Sequence, residues 1–299
     1  MIAPANRRRR FLVAGSRIAA GVALFAALPG LHAQSAASRQ GTEGSAVVAL
    51  AFDPAGQALF KASPDAVSRS VDGGRRWSLV VLPPISAATR LKTIAVSAGA
   101  PGSLYLAGQG IGVLRSDDGG RTWMQRNNGL PGADVAAFTT HADRPQTVYA
   151  YLISKGIFRS EDGGQHWRLM DAGPRGGITS FIHSNMPGSM LSGWFFAAGT
   201  PGVRRAMDCF CGWRDAGELG QAVHAVAYDP RRPGDIYAAT DAALFLSRDG
   251  GEEWSKVEQP VPTITALVVT PQGVIYAAGT DGRLFVGATD AASWKSVDA

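Results

Sequence analysis

The chain lacks most of the signatures that announce chemistry. Among its 299 residues there is no Gly-x-Ser-x-Gly elbow and no phosphate loop. His141, His166, His183 and His224 show no metal-like local spacing. Gly108-Gln109-Gly110-Ile111-Gly112 resembles a dinucleotide motif, but it joins two expected strands and lacks the strand-to-helix setting that such a motif requires. Only two cysteines are present, Cys209 and Cys211.

A charge imbalance is also lacking once the N-terminus is set aside. Arg7 to Arg10, an apolar stretch from Ile18 to Leu28, and Leu31-His32-Ala33 before Gln34 read as an export signal over residues 1–33, and Arg8-Arg9-Arg10-Phe11-Leu12 also fits a twin-arginine route. The apolar run of about 11 residues is too short for a bilayer, which needs roughly 20. Membrane contact is therefore expected only through a retained leader. Five of the 29 basic residues and none of the 24 acidic ones lie in this segment, so the remainder is neutral. Nucleic acid is not an expected partner. Residues 34–46 are small and polar and read as a flexible linker to a periplasmic or secreted domain.

What is present is a repeat. Ser70-Val71-Asp72-Gly73-Gly74-Arg75-Arg76-Trp77 recurs as Ser116 to Trp123, Ser160 to Trp167 and Ser247 to Trp254. Two worn copies, Ala206 to Trp213 and Asp290 to Trp294, complete a series spaced by about 41 to 46 residues. Around each copy lie four short alternating segments broken by Gly, Pro and Asp. In the unit from Ala222 to Glu258, strands are expected at Val223 to Tyr228, Ile236 to Ala239, Ala243 to Ser247 and Trp254 to Val257, with a turn from Asp229 to Asp235. Six such units predict an all-β, six-bladed β-propeller of four-stranded antiparallel blades over residues 47–299. The last unit ends on its own outer strand, with no sign of a strand exchanged between first and last blades.

The recurrent element has a local task. The Asp carboxylate accepts from amides of its own turn, the glycines allow positive φ, and the Trp covers the turn. Here the chain resembles the Asp-box, or BNR, repeat propellers, a group that includes sialidases, xyloglucanases, sortilin-type receptors and photosystem assembly factors. The resemblance implies that the boxes are peripheral scaffolding. Asp72, Trp77, Asp118, Trp123, Asp162, Trp167, Asp208, Trp213, Asp249 and Trp254 are accordingly structural candidates. The Arg-Ile-Pro motif common in sialidases is missing, and Arg69, Arg75 and Arg76 flank or sit within a box turn.

No catalytic residue is assigned and no cofactor is expected. Loops between second and third strands should share one rim, bringing Asp65, Arg90, Lys155, Arg175, Asp241, Asp281 and Arg283 to a candidate ligand face, although Thr240-Asp241 and Thr280-Asp281-Gly282 also read as ordinary hairpin turns. Cys209 and Cys211 admit a tight disulfide, idle thiols, or a soft-metal site with Met186, Met190, Met207 or His183. The function expected is an exported, non-enzymatic module that binds a protein or glycan partner. A carbohydrate-active hydrolase, which needs two opposed acids, and a metal or redox protein built on the cysteine pair remain alternatives.

Overall fold

The computed structural model describes residues 44–297; the leader and most of the linker lie outside this range. Six four-stranded antiparallel sheets follow one another along the chain. Blade 1 is β1 (Ala49–Asp53), β2 (Ala58–Ala62), β3 (Val67–Ser70) and β4 (Ser78–Leu79), and blade 2 is β5 (Arg90–Val96), β6 (Leu104–Gln109), β7 (Gly112–Ser116) and β8 (Met124–Gln125). Blade 3 is β9 (Val135–Thr140), β10 (Val148–Leu152), β11 (Gly156–Ser160) and β12 (Arg168–Asp171), and blade 4 is β13 (Ser180–Ser184), β14 (Trp194–Gly199), β15 (Gly202–Met207) and β16 (Arg214–Asp215). Blade 5 is β17 (Val223–Asp229), β18 (Arg232–Thr240), β19 (Leu244–Ser247) and β20 (Ser255–Val257), and blade 6 is β21 (Ile264–Val269), β22 (Val274–Gly279), β23 (Leu284–Ala288) and β24 (Trp294–Ser296).

The core lies between blades. Phe60 and Val67 of blade 1 pack on Leu91, Leu104 and Leu106 of blade 2, and the same pairing repeats around the ring until Tyr276 and Leu284 of blade 6 meet Val47, Leu50 and Leu59 of blade 1. The second strand of a blade is covered on both faces, which explains the wholly buried runs in β6, β10 and β14. The fourth strand is short and mostly exposed, as in β4, β8 and β16, which limits the free edge it presents. Every blade uses four consecutive strands, and a side-chain bond from Thr265 Oγ1 to Val47 O at 2.6 Å helps join the last blade to the first.

The hairpin directions place first-to-second turns and Asp-box turns on one rim, and second-to-third turns and interblade connections on the other. One turn is shorter than its sequence suggests. Asp229 pairs directly with Arg232, and β18 absorbs Pro233, Gly234 and Asp235 into a nine-residue strand. The Asp229 carboxylate takes the Arg231 N–H at 2.9 Å and closes the turn over two residues.

Candidate functional site

The four intact boxes share one hydrogen-bond scheme. The Ser hydroxyl donates to the Asp two residues on at 2.6 to 2.8 Å, as in Ser70 to Asp72 and Ser247 to Asp249, and accepts the N–H of the second glycine at 2.7 to 2.9 Å. The same carboxylate caps the N–H four residues on, at Arg76, Thr122, His166 and Glu253. At the second glycine φ is between 87° and 97°, and a Cβ there would meet the edge of the box Trp at 3.5 to 3.6 Å. The Arg76 amide and the Ser70 hydroxyl hold Asp72 below the usual carboxylate range, and Thr122 does so for Asp118. Every oxygen contact serves the turn itself.

The fourth box departs from this scheme. Ala206 supplies no hydroxyl, and the Asp208 carboxylate turns inward to 3% exposure. Ser192, in the connection between β13 and β14, takes over and donates both its hydroxyl and its N–H to Asp208 Oδ2, at 2.5 and 2.9 Å. His141 and His183, from neighbouring blades, stack beside it with ring centroids 3.9 Å apart. Sequence inspection treats the two as separate packing histidines; their separation of about one repeat was the available signal.

The tautomers follow from the backbone. His141 Nδ1 accepts N–H bonds from Asp143 and Arg144, and His183 Nδ1 accepts one from Ala142. Each neutral ring therefore carries its proton on Nε2. His141 Nε2–H donates to Ser192 Oγ at 2.8 Å, and His183 Nε2 lies 3.9 Å from Asp208 Oδ2. Burial, reinforced by His183, pushes His141 down to about 3. Burial raises Asp208, but the two hydrogen bonds from Ser192 and the nearby His183 ring outweigh it and hold the carboxylate at about 2. The ligand atoms of His141, His183 and Asp208 lie within 4.8 Å of one another, close enough for a metal ion. Both Nε2 lone pairs are nevertheless used by protons, so the donor set suits a buried anchor better than a metal centre.

Cys209 and Cys211 follow directly. Their sulfurs are joined, with Cα atoms 5.3 Å apart, so the two thiolates that a soft-metal site requires are not present in this state. Phe210 between them takes φ +54° where intact boxes have glycine, and its ring stacks on Phe195 at 4.8 Å.

The six inner strands enclose a channel with a cavity volume of about 490 Å³, lined by apolar residues such as Phe52, Ile94 and Leu267 and by polar ones such as Thr140, Ser180 and Asn185. Asp143 is the one carboxylate among the described residues that line it. Near the start of the inner strands of blades 2, 5 and 6, bulges fall at Lys92, His224 and Thr265, and all three line the channel. A bulge re-aims a side chain.

The rim residues divide by blade. Asp241 pairs with His224 at 2.9 Å on blade 5, and Asp281 pairs with Arg283 at 2.6 Å on blade 6, so each carboxylate is engaged locally. Asp65 accepts the Ser63 hydroxyl at 3.1 Å within its own turn. Arg90 turns back onto the carbonyls of Ala87 and Thr89. Lys92, Lys155 and Arg175 are exposed on blades 2 and 3 and the connection to blade 4, without a carboxylate partner among the described residues. Ile153, in the same turn as Lys155, is 69% exposed.

Residues 40–298 match the family model described as photosynthesis system II assembly factor YCF48. The chain belongs to this family. Among solved structures, YCF48 from Cyanidioschyzon merolae is 15% identical with a TM-score of 0.58, covering 85% of this chain and 86% of its own. A YCF48 bound to a D1 peptide is 16% identical with a TM-score of 0.56, covering 85% and 83%. The GH74 xyloglucanase from Xanthomonas campestris is 20% identical with a TM-score of 0.58, and this chain spans about half of its length, 47%. These likenesses show the propeller fold that the YCF48 family and the glycosidase share. No curated protein matches the chain by sequence.

Proposed function

We propose that the protein is an exported, non-enzymatic propeller that binds a segment of a partner protein across the channel mouth and the adjoining rim of blades 2 to 4. One observation carries this: Lys92, Lys155 and Arg175 present cationic groups without carboxylate partners among the described residues, beside the exposed Ile153. An extended segment with apolar and acidic side chains complements such a surface. Support comes from family membership and from the related YCF48 bound to a D1 peptide. Export rests on the N-terminal signal pattern, and the mass of the mature chain recovered from cells tests it.

A hydrolase needs two acids across a cleft, whereas Asp143 is the one carboxylate among the described residues that line the channel, and the rim carboxylates are held by their neighbours. The test compares wild type with a Lys92→Glu/Lys155→Glu/Arg175→Glu variant as baits after mild crosslinking in the source cells. The expected result is a defined partner captured by wild type and lost from the folded variant. Equal capture by both removes this rim from the proposal. Release of reducing sugar from xyloglucan by the purified protein, abolished by Asp241→Asn or Asp281→Asn, establishes the hydrolase instead.

A further inference from the structure

We propose that the Cys209–Cys211 disulfide is a thiol–disulfide exchange site, with Cys211 as the sulfur attacked by an incoming thiolate and Cys209 as the leaving group. The bridge contributes little to the fold. It joins residues two apart and encloses Phe210 alone, and the chain-entropy gain of a disulfide shrinks with loop length. Four intact boxes make the equivalent reversal with two glycines and no bridge, and ring closure depends on the packing of blade 6 on blade 1. A disulfide that neither closes the ring nor spans a long loop is left with its chemistry.

Access is asymmetric. Cys211 is exposed and Cys209 half-buried. Gly212, next to Cys211, is itself exposed at φ +131°, so no side chain projects from the following position. The Cys209 side is anchored. Asp208 is buried and bound by Ser192, and Phe210 is set among Tyr149, Phe195 and Trp213. These anchors keep the two sulfurs close after the bond opens, which favours re-formation over loss of the pair.

The exchange balances without a cofactor. A thiolate from a small thiol or a partner protein's cysteine forms a bond to Cys211 Sγ as the Sγ–Sγ bond breaks, and the electron pair departs on Cys209 Sγ, which takes a proton from water. A second thiolate attacks the sulfur that came from the thiol, forming the external disulfide and releasing the Cys211 thiolate. Two external thiols are oxidised and the protein disulfide is reduced to two thiols. An external disulfide such as glutathione disulfide restores the bridge by the same steps in reverse.

The experiment uses the full-length protein, without denaturant, in millimolar reduced glutathione, followed by iodoacetamide and intact-mass measurement. The expected product carries two carbamidomethyl groups, with a thermal midpoint close to that of the oxidised protein. In single-cysteine variants given glutathione disulfide, the remaining thiol of Cys209→Ser should form the mixed disulfide, releasing one reduced glutathione, about ten-fold faster than that of Cys211→Ser, following access to the sulfur. A bridge that is alkylated only after denaturation overturns the proposal. So does a collapse of the thermal midpoint on reduction, which assigns the bridge to stability. Equal rates in the two variants overturn the assignment of Cys211 as the attacked sulfur.

Discussion

Ser192 donates its hydroxyl to Asp208 at 2.5 Å from 16 residues away, and so does for the broken turn what Ser70 does for Asp72 from two residues away. The exchange of a local partner for a distant one ties the β13–β14 connection to the fourth box, and through His141 Nε2 it ties both to blade 3. Ser192→Ala leaves the buried carboxylate with one N–H donor from that residue and the His141 N–H with no acceptor. The expected loss is about 1–3 kcal/mol, the cost of buried polar groups left unpaired. Urea unfolding measures it, with the exposed Ser255→Ala expected to change stability by no more than about 0.5 kcal/mol.

The same cluster makes the fold acid-sensitive. His141 is held neutral, at about 3, by burial and by His183. Below the ordinary histidine value the unfolded chain takes up a proton that the folded chain refuses. Stability is thus fully present above about 6.5 and falls as the pH drops toward 3, by about 1.4 kcal/mol per pH unit. Asp208, at about 2, adds a second loss at lower pH: its contribution is complete above the usual carboxylate value and disappears as the pH falls through 2. In denaturant titrations between pH 6 and pH 4, His141→Gln should show a shallower slope than wild type. Parallel slopes would remove His141 as the group responsible.

What was legible in the sequence was what is local. Ser70, Asp72 and Gly74 are joined by hydrogen bonds and Trp77 lies over Gly74, all within eight residues, so the box and the blade around it can be read from spacing. The anchor at Asp208 was not legible, because Ser192, His141 and His183 reach it only when blades 3 and 4 pack together. Pro230, Pro233 and Gly234 read as turn residues, yet β18 accommodates the latter two, and Pro233 uses its carbonyl to accept the Ser184 hydroxyl at 2.6 Å from the preceding blade. The rim cations were visible individually, but the engagement of Asp241 and Asp281 by His224 and Arg283 was not.

The two box glycines should respond differently to alanine. At Gly119, φ is +75° and a Cβ meets nothing within 4 Å, so Gly119→Ala costs only backbone strain, about 1–2 kcal/mol. At Gly74, φ is +97° and a Cβ would stand 2.7 Å from Leu284 Cδ2 and 3.0 Å from Val297 Cγ1 of blade 6. Gly74→Ala adds overpacking of about 1–3 kcal/mol to the strain. Thermal melts should rank Gly74→Ala as the less stable variant; the reverse order would mean that the blade 1 to blade 6 contact yields readily.

The seam between blades 6 and 1 differs from every other interface in one respect: among the described residues, no connection between consecutive blades crosses it. Thr265 Oγ1 bonds Val47 O across that seam at 2.6 Å, while Thr179 Oγ1 makes the equivalent bond to Val223 O across blades 4 and 5 at 3.0 Å. Valine at either position removes one hydroxyl and leaves a carbonyl short of a partner, for about 1–2 kcal/mol. The local consequences should diverge. Blades 4 and 5 stay tethered by residues 216–222 when their contact loosens, so their effective concentration remains high. Among the described residues, blades 6 and 1 are held by packing and by such bonds, with the rest of the ring as their tether. Native-state hydrogen exchange should therefore accelerate in β1 and β21 of Thr265→Val by more than in β13 and β17 of Thr179→Val. Equal acceleration at the two interfaces would show that closure by packing alone holds the ring as firmly as closure with a chain crossing it.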